Sequence, residues 1–153
     1  MPIENHFEDF VVGSEYSHHW GRTIYATESA QFATMMMHYN PAYFNREYAQ
    51  HLGYRDLVID PYLVLATIIG LSVEDNSEGG GPFLGLTGVR FLIPVYAGDT
   101  LYAESRVESK RPTASRPGWG IVIWHTIGRN QDGKAVIELQ RSNLTKLRDG
   151  PKT

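Results

Sequence analysis

Between His38 and Tyr62 the chain gathers side chains able to move protons. Histidine titrates near ~6.5, so His38 can take up and return a proton near neutrality. Tyrosine titrates near ~10, which makes Tyr43 a poor base but a capable proton donor or water-positioning group. Asn40 lies between the two, and Asp60 and Tyr62 bracket Pro61 further on. Each also has a plainer reading. His38 can end a helix, where a cation meets the negative end of the dipole, and Tyr43 can pack on Phe44. Asp60-Pro61 is in any case a good helix start, an N-cap carboxylate followed by proline at the first helical position.

Other chemistry-bearing residues are more dispersed. Lys110, Arg111 and Arg116 flank a proline-rich loop and can hold phosphates by charge-assisted bonds, or simply form a solvated basic loop. Arg46 and Arg55 can meet a carboxylate on a substrate or pair with acidic neighbours on the surface. His18 and His19 are adjacent on an expected strand, so they face opposite ways and cannot share one metal. His125, amid Trp124 and Ile127, reads as a core histidine. Gly79-Gly80-Gly81 lacks the Lys-Ser/Thr of a phosphate loop and reads as a flexible turn, and no Gly-x-Ser-x-Gly elbow is present. The chain has no cysteine, which removes disulfides, thiolate zinc sites and cysteine nucleophiles together. No metal site is expected.

The elements that position these residues can be read from period and punctuation. Glu15 to Ile24 is expected as a first strand. Ala30, Ala33, Met36 and Met37 recur at helical spacing, so Glu28 to Met37 reads as an amphipathic helix capped by Thr27, ending at Asn40-Pro41. Asn45 is expected to cap a short helix through Gln50, stopped at Gly53. The helix opened by Asp60-Pro61 runs from Tyr62 to Leu71 and is apolar nearly all round, so it must be enclosed on most sides. The pattern then turns to β. Phe83 to Ile93 is one strand, and Leu101 to Lys110 alternates with period 2 after an Ala97-Gly98-Asp99 turn. Trp119 to Ile127 is apolar on both parities and reads as central, covered on both faces. Asn130-Gln131-Asp132-Gly133 makes a hairpin into Lys134 to Leu147. One greasy helix followed by four long antiparallel strands implies an α+β domain, a curved sheet wrapped around the helix. The exposed edge of such a sheet is simply covered by dimerisation.

Length and composition agree with one globular domain over residues 1–153. Hydrophobic residues make up 42% and charged residues 20%, ordinary for a packed protein. A formal charge of −3 excludes the broad positive field of a general nucleic-acid binder. Met1-Pro2-Ile3-Glu4-Asn5-His6 carries no basic-then-apolar leader pattern, and the run from Tyr62 to Leu71 is about half of the ~20 residues a membrane span needs. A cytoplasmic protein with no membrane partner is therefore expected.

Three stretches resemble the MaoC-like dehydratases, the hot-dog enoyl-CoA hydratases. His38-Tyr39-Asn40-Pro41-Ala42-Tyr43-Phe44-Asn45, with Tyr48-Ala49 behind it, is similar to the family's Asp-x-Asn-Pro-Leu-His-x-Asp loop. Phe91 to Leu101 matches its proline-valine and Ala-Gly-Asp-Thr-Leu turn. Arg22-Thr23-Ile24, Gly70-Leu71-Ser72-Val73 and the Gly128 to Lys134 stretch look most like the branch that hydrates mesaconyl-CoA or dehydrates β-methylmalyl-CoA. The likeness covers roughly residues 7 to 148.

The resemblance implies a single hot-dog domain, dimeric or larger, binding a CoA thioester at the dimer interface as substrate, with no cofactor. It implies a lyase acting on a short, branched or dicarboxylic enoyl-CoA or 3-hydroxyacyl-CoA. His38, Tyr43 and Asn40 occupy its catalytic loop. Asp60 and Tyr62 stand at the thioester-binding helix start, and Arg111 and Arg116 are candidates for the CoA phosphates. Three positions depart from the family pattern. His38 and Tyr43 replace the usual Asp and His, and the helix-start N–H aligns with Pro61, which has none. Asp60 is expected to cap the N–H groups of Leu63 or Val64, and Tyr62 offers a substitute donor through its N–H or hydroxyl. The other implied reading is a catalytically silent hot-dog subunit or acyl-CoA binding module, in a heterodimer with an active paralogue.

Overall fold

The computed structural model describes residues 5–79 and 81–149. Met1 to Glu4 of the leader reading and Gly80 of the glycine turn lie outside them. Six strands form one antiparallel sheet, ordered β1 (Glu15–Ser17), β4 (Thr100–Pro112), β5 (Trp119–Arg129), β6 (Ala135–Lys146) and β3 (Phe83–Phe91), with β2 (Arg22–Thr23) also on β4. Among the described residues four α-helices accompany it: α1 (Ala26–Met35), α2 (Arg46–His51), α3 (Pro61–Leu71) and α4 (Val73–Ser77). Among the described residues no helix is long and apolar enough to cross a membrane.

Strand parity decides which way the sheet curls. On β4, Leu101, Ala103, Ser105 and Val107 are buried while Tyr102, Glu104, Arg106 and Glu108 face out. Leu101 and Ala103 join Ile137 and Leu139 of β6 against Leu63, Val64 and Ile68 of α3. The sheet therefore wraps the helix, and the α+β hot-dog architecture is as expected. Contact is close at Gly128, where a Cβ would lie 2.7 Å from side-chain carbons of Ile68 and Ile137. A second cluster, Phe7, Phe10, Val107, Val122 and Trp124, fills the space under the N-terminal segment.

Two expectations are corrected in detail. The first strand is broken at His18–Gly21 into β1 and β2, because His18 turns inward. Its ring bridges Asp75 Oδ2 at 2.5 Å and Ser105 Oγ at 2.8 Å, while His19 lies exposed near Glu74. The face of β5 bearing Ile121, Ile123, His125 and Ile127 is only half-buried, so His125 is not a core residue. Helix α3 is enclosed on most sides, as expected: Leu63, Val64, Thr67 and Ile68 are buried and Leu65, Ile69 and Leu71 partly so, while Tyr62, Ala66 and Gly70 form one exposed stripe. Apolar side chains are also exposed along and just beyond the β3 edge, at Phe83, Leu84, Phe91 and Leu92.

Arg141 is the least expected core residue. It lies on β6 in phase with Ile137 and Leu139 and is 2% exposed. Its guanidinium donates to Asn143 Oδ1 at 2.7 Å, Ser72 Oγ at 2.7 Å, Ser77 Oγ and the Ile69 carbonyl at 3.4 Å. Ile69 and Ser72 belong to the end of α3, where free carbonyls and the dipole favour a cation. Among the described residues no carboxylate pairs with it, and burial brings its pKa down to about 10.

Candidate active site

The backbone delivers His38 through a specific helix ending. Helix α1 starts one residue before the expected Thr27 cap. Glu28 reaches back to accept the Tyr25 N–H at 2.9 Å and also pairs with Arg22. At its other end Met37 adopts φ 54°, and the N–H groups of Met37 and His38 donate to the carbonyls of Thr34 and Ala33 at 3.1 and 2.8 Å. This is the Schellman arrangement with methionine in the place glycine usually takes. The chain then turns sharply. Asn40 caps the 3-10 turn Pro41–Tyr43, its Oδ1 accepting from Ala42 N at 3.1 Å. That turn buries Tyr43.

Asp60 meets His38 from the start of α3. It is fully buried, and its main-chain N–H donates to Ser29 Oγ at 2.9 Å. Its Oδ1 accepts the Tyr62 N–H at 2.8 Å. The expected partners, Leu63 and Val64, donate instead to the Asp60 carbonyl at 3.0 and 3.2 Å, because an N-cap carbonyl already accepts the first helical bonds. The second oxygen, Oδ2, lies 2.8 Å from His38 Nδ1. An ionised carboxylate only accepts, so Nδ1 carries the proton and Nε2 of the neutral ring keeps its lone pair. The imidazole stands between two aromatic rings, Tyr43 at 5.1 Å and Tyr62 at 5.0 Å between centroids.

This geometry fixes what the helix start can do. Pro61 has no N–H, and those of Tyr62, Leu63 and Val64 are all engaged. A developing oxyanion must find its donor elsewhere. Burial, reinforced by the Asp60 charge and opposed by the Asn40 side chain, raises the Tyr43 hydroxyl above the ordinary tyrosine range. Tyr43 therefore stays protonated at neutral pH and can donate.

Beside the cluster opens a cavity of about 330 Å³. Asn40, Tyr43 and Tyr54 supply its polar groups, and Val58, Ile59, Pro61, Val64, Ile93 and Val136 line much of the rest. The Val95–Tyr96 side is held by Asp99, whose Oδ2 accepts the Tyr96 N–H at 2.9 Å. His38, Asn40, Tyr43, Asp60 and Tyr62 are thus brought together. Arg111 and Arg116 are not: Arg111 lies at the far end of the 13-residue β4, roughly 40 Å along the strand from Thr100. The Arg116 guanidinium sits 4.6 Å over the Trp119 ring. Arg46 is committed to Asp56 at 2.6 Å, and Arg55 lies over Tyr96 near Asp99. Among the described residues no group of His and carboxylates suits a metal ion.

The sequence places Asp60 as a cap at the thioester-binding helix start and does not reveal it as the partner of His38. No local signal could have joined them, since the contact spans 22 positions and depends on how α1 docks on α3.

Known proteins share this arrangement of chain. A family model described as mesaconyl-CoA hydratase matches residues 3–153. The mesaconyl-CoA hydratase of Haloarcula hispanica is 36% identical over 144 residues, 94% of this chain and 40% of that protein. The beta-methylmalyl-CoA dehydratase of Chloroflexus aurantiacus is 33% identical over 145 residues, 95% and 41% of the two chains. This chain therefore spans about 40% of the length of these curated relatives. A MaoC domain protein structure from Chloroflexus aurantiacus superposes with a TM-score of 0.90 at 32% identity, covering 100% of this chain and 44% of that one. The R-hydratase PhaJ1 of Pseudomonas aeruginosa, at 23% identity and TM-score 0.76 over 95% and 88% of the two chains, shares the fold. With a family match running over nearly its whole length, the chain belongs to the mesaconyl-CoA hydratase family of MaoC-like hot-dog proteins.

Proposed function

We propose that this chain hydrates an enoyl-CoA thioester, or dehydrates the corresponding 3-hydroxyacyl-CoA, with His38 as the acid–base group. The carrying observation is the hydrogen bond from His38 Nδ1 to the buried Asp60 carboxylate beside an apolar cavity. In hydration, His38 Nε2 takes a proton from water as the water oxygen bonds to the β-carbon. The π-electron pair moves toward the thioester oxygen, and the α-carbon then receives the proton from the imidazolium. Asp60 acts as a positioning residue, fixing the tautomer and stabilising the imidazolium. Tyr43 donates to the thioester oxygen as charge develops there, with Asn40 shaping the turn that holds it.

Two surfaces suit a second hot-dog unit: the β3 edge and the exposed stripe Tyr62, Ala66 and Gly70 of α3. The relatives' greater length supports that arrangement, with the unit supplied here by another copy or by a paralogue. A complex described as HadBC and another described as ChsH1-ChsH2 show that two different chains of this fold can associate.

The test is a hydration assay on a panel of enoyl-CoA thioesters with Tyr43→Phe alongside. Wild-type turnover is expected, with kcat lowered roughly 100- to 1000-fold in the variant and KM little changed. The wild type should also lose activity as pH rises beyond the ordinary tyrosine value of 10.0. The sign follows from the raised value: the donor is intact below it and lost only above it. That limb should vanish in Tyr43→Phe.

A second reading, a silent acyl-CoA binding subunit, is favoured by one observation: every N–H at the start of α3 is engaged or missing. Acyl-CoA binding without turnover on any thioester would decide for it.

A further inference from the structure

We infer that Ser29 is a positioning residue, setting the Asp60 carboxylate against His38 through the Asp60 main chain. The inference rests on the acid–base reading of His38. Ser29 lies on α1 and is buried, as is Asp60 at the start of α3. A main-chain N–H enclosed so completely must find an acceptor inside the protein. For Asp60 that acceptor is Ser29 Oγ at 2.9 Å, a bond across 31 positions. Both partners are buried within this one chain, out of reach of a second hot-dog unit.

The same helix carries His38. Ala33 is also buried, one turn beyond Ser29, and its carbonyl accepts the His38 N–H at 2.8 Å. Ser29 and Ala33 are roughly 6 Å apart along the axis. One turn of α1 therefore fixes both members of the pair, the imidazole through Ala33 and the carboxylate through Ser29. The Ser29 bond also leaves the carboxylate oxygens free for other donors. Oδ1 accepts the Tyr62 N–H at 2.8 Å, and Oδ2 accepts from His38 Nδ1 at 2.8 Å.

Without the Ser29 hydroxyl, the Asp60 N–H loses its acceptor. Aspartate side chains can bond their own main-chain N–H, so the nearest replacement is the carboxylate itself. An oxygen turned back to that N–H is turned away from Tyr62 or from His38. The ring then loses the acceptor that keeps its proton on Nδ1, and Nε2 no longer offers its lone pair in every molecule. A serine with a purely structural role would cost stability when removed but leave the ring proton where it was.

The experiment compares Ser29→Ala with Ser72→Ala in the full chain. Ser72 also satisfies buried polar groups, the Arg141 guanidinium and the Ile69 carbonyl, but at the far end of α3. One readout is kcat and KM on a panel of enoyl-CoA thioesters, mesaconyl- and crotonyl-CoA included. The other is the imidazole nitrogen NMR shifts of His38, assigned by their absence in His38→Gln. In the wild type the neutral ring should show a single form, protonated at Nδ1. Ser29→Ala should show both tautomers, with kcat lowered roughly 10- to 100-fold and KM little changed. Ser72→Ala should lose Tm but keep the wild-type tautomer and kcat.

A single Nδ1–H form in Ser29→Ala would overturn the inference whatever its turnover. So would two tautomers with kcat unchanged, or the same mixture in Ser72→Ala. If the wild type hydrates no thioester, the hydratase reading fails. A mixture confined to Ser29→Ala would even then support Ser29 as the residue that sets Asp60 against His38.

Discussion

Changing His38 to glutamine is expected to lower kcat/KM for hydration by roughly 100- to 10,000-fold, the usual weight of a positioned acid–base group. Asp60→Asn should fall by a comparable amount for a different reason. An asparagine amide in place of the carboxylate can donate to Nδ1, which drives the ring proton to Nε2, the atom that must accept. The same exchange behind a catalytic histidine in serine hydrolases costs on the order of 10,000-fold. Because the two residues act as one device, the double variant should be little worse than the poorer single one. Losses that simply multiplied would mean that Asp60 serves some other purpose. Unchanged turnover in His38→Gln would remove His38 from the chemistry altogether.

Arg141→Met carries the largest expected effect on stability. Methionine keeps the aliphatic packing and relieves the desolvation of a buried charge, which by itself can be favourable. It also strands Asn143 Oδ1, Ser72 Oγ and Ser77 Oγ, three acceptors that the guanidinium now satisfies, while the Ile69 carbonyl keeps the Ser72 hydroxyl and N–H. At about 1 kcal/mol or more for each stranded group, the second effect wins, and a net loss of roughly 2–4 kcal/mol follows. For a domain of this size that lowers Tm by on the order of 10 °C. A calorimetric Tm equal to or above wild type would show that relief of the buried charge dominates.

How much of this could be read beforehand depended on the range of the interaction. Strand β4 followed from period 2, β5 from an apolar run on both parities, and β6 from a turn with a local cause, Asn130 Oδ1 accepting the N–H groups of Asp132 and Lys134. The start of α3 followed from Asp60-Pro61, where the deciding forces span a single turn. Arg141 was legible in principle, since it shares the parity of Ile137 and Leu139, but charge alone argued for exposure. The break at His18–Gly21 was not legible, because it answers to Asp75 and Ser105, far away in sequence. The same holds for the site. His38, Asn40 and Tyr43 stood out as a loop with the right residue types. Asp60 became the partner of His38 only through the docking of one helix end on another helix start.

The turn at Met37 has a cost that falls on His38. A methionine in the left-handed region lies uphill by about 1–2 kcal/mol, and it stays there only while its surroundings oblige it. The imidazole is therefore carried on a sprung hinge, latched by the Ala33 and Thr34 carbonyls on one side and by Asp60 on the other. Anything that slackens the packing beneath the end of α1 lets that spring relax locally, well short of wholesale melting. In this protein, fading turnover should be the earliest symptom of a failing scaffold, arriving while circular dichroism still reads as native.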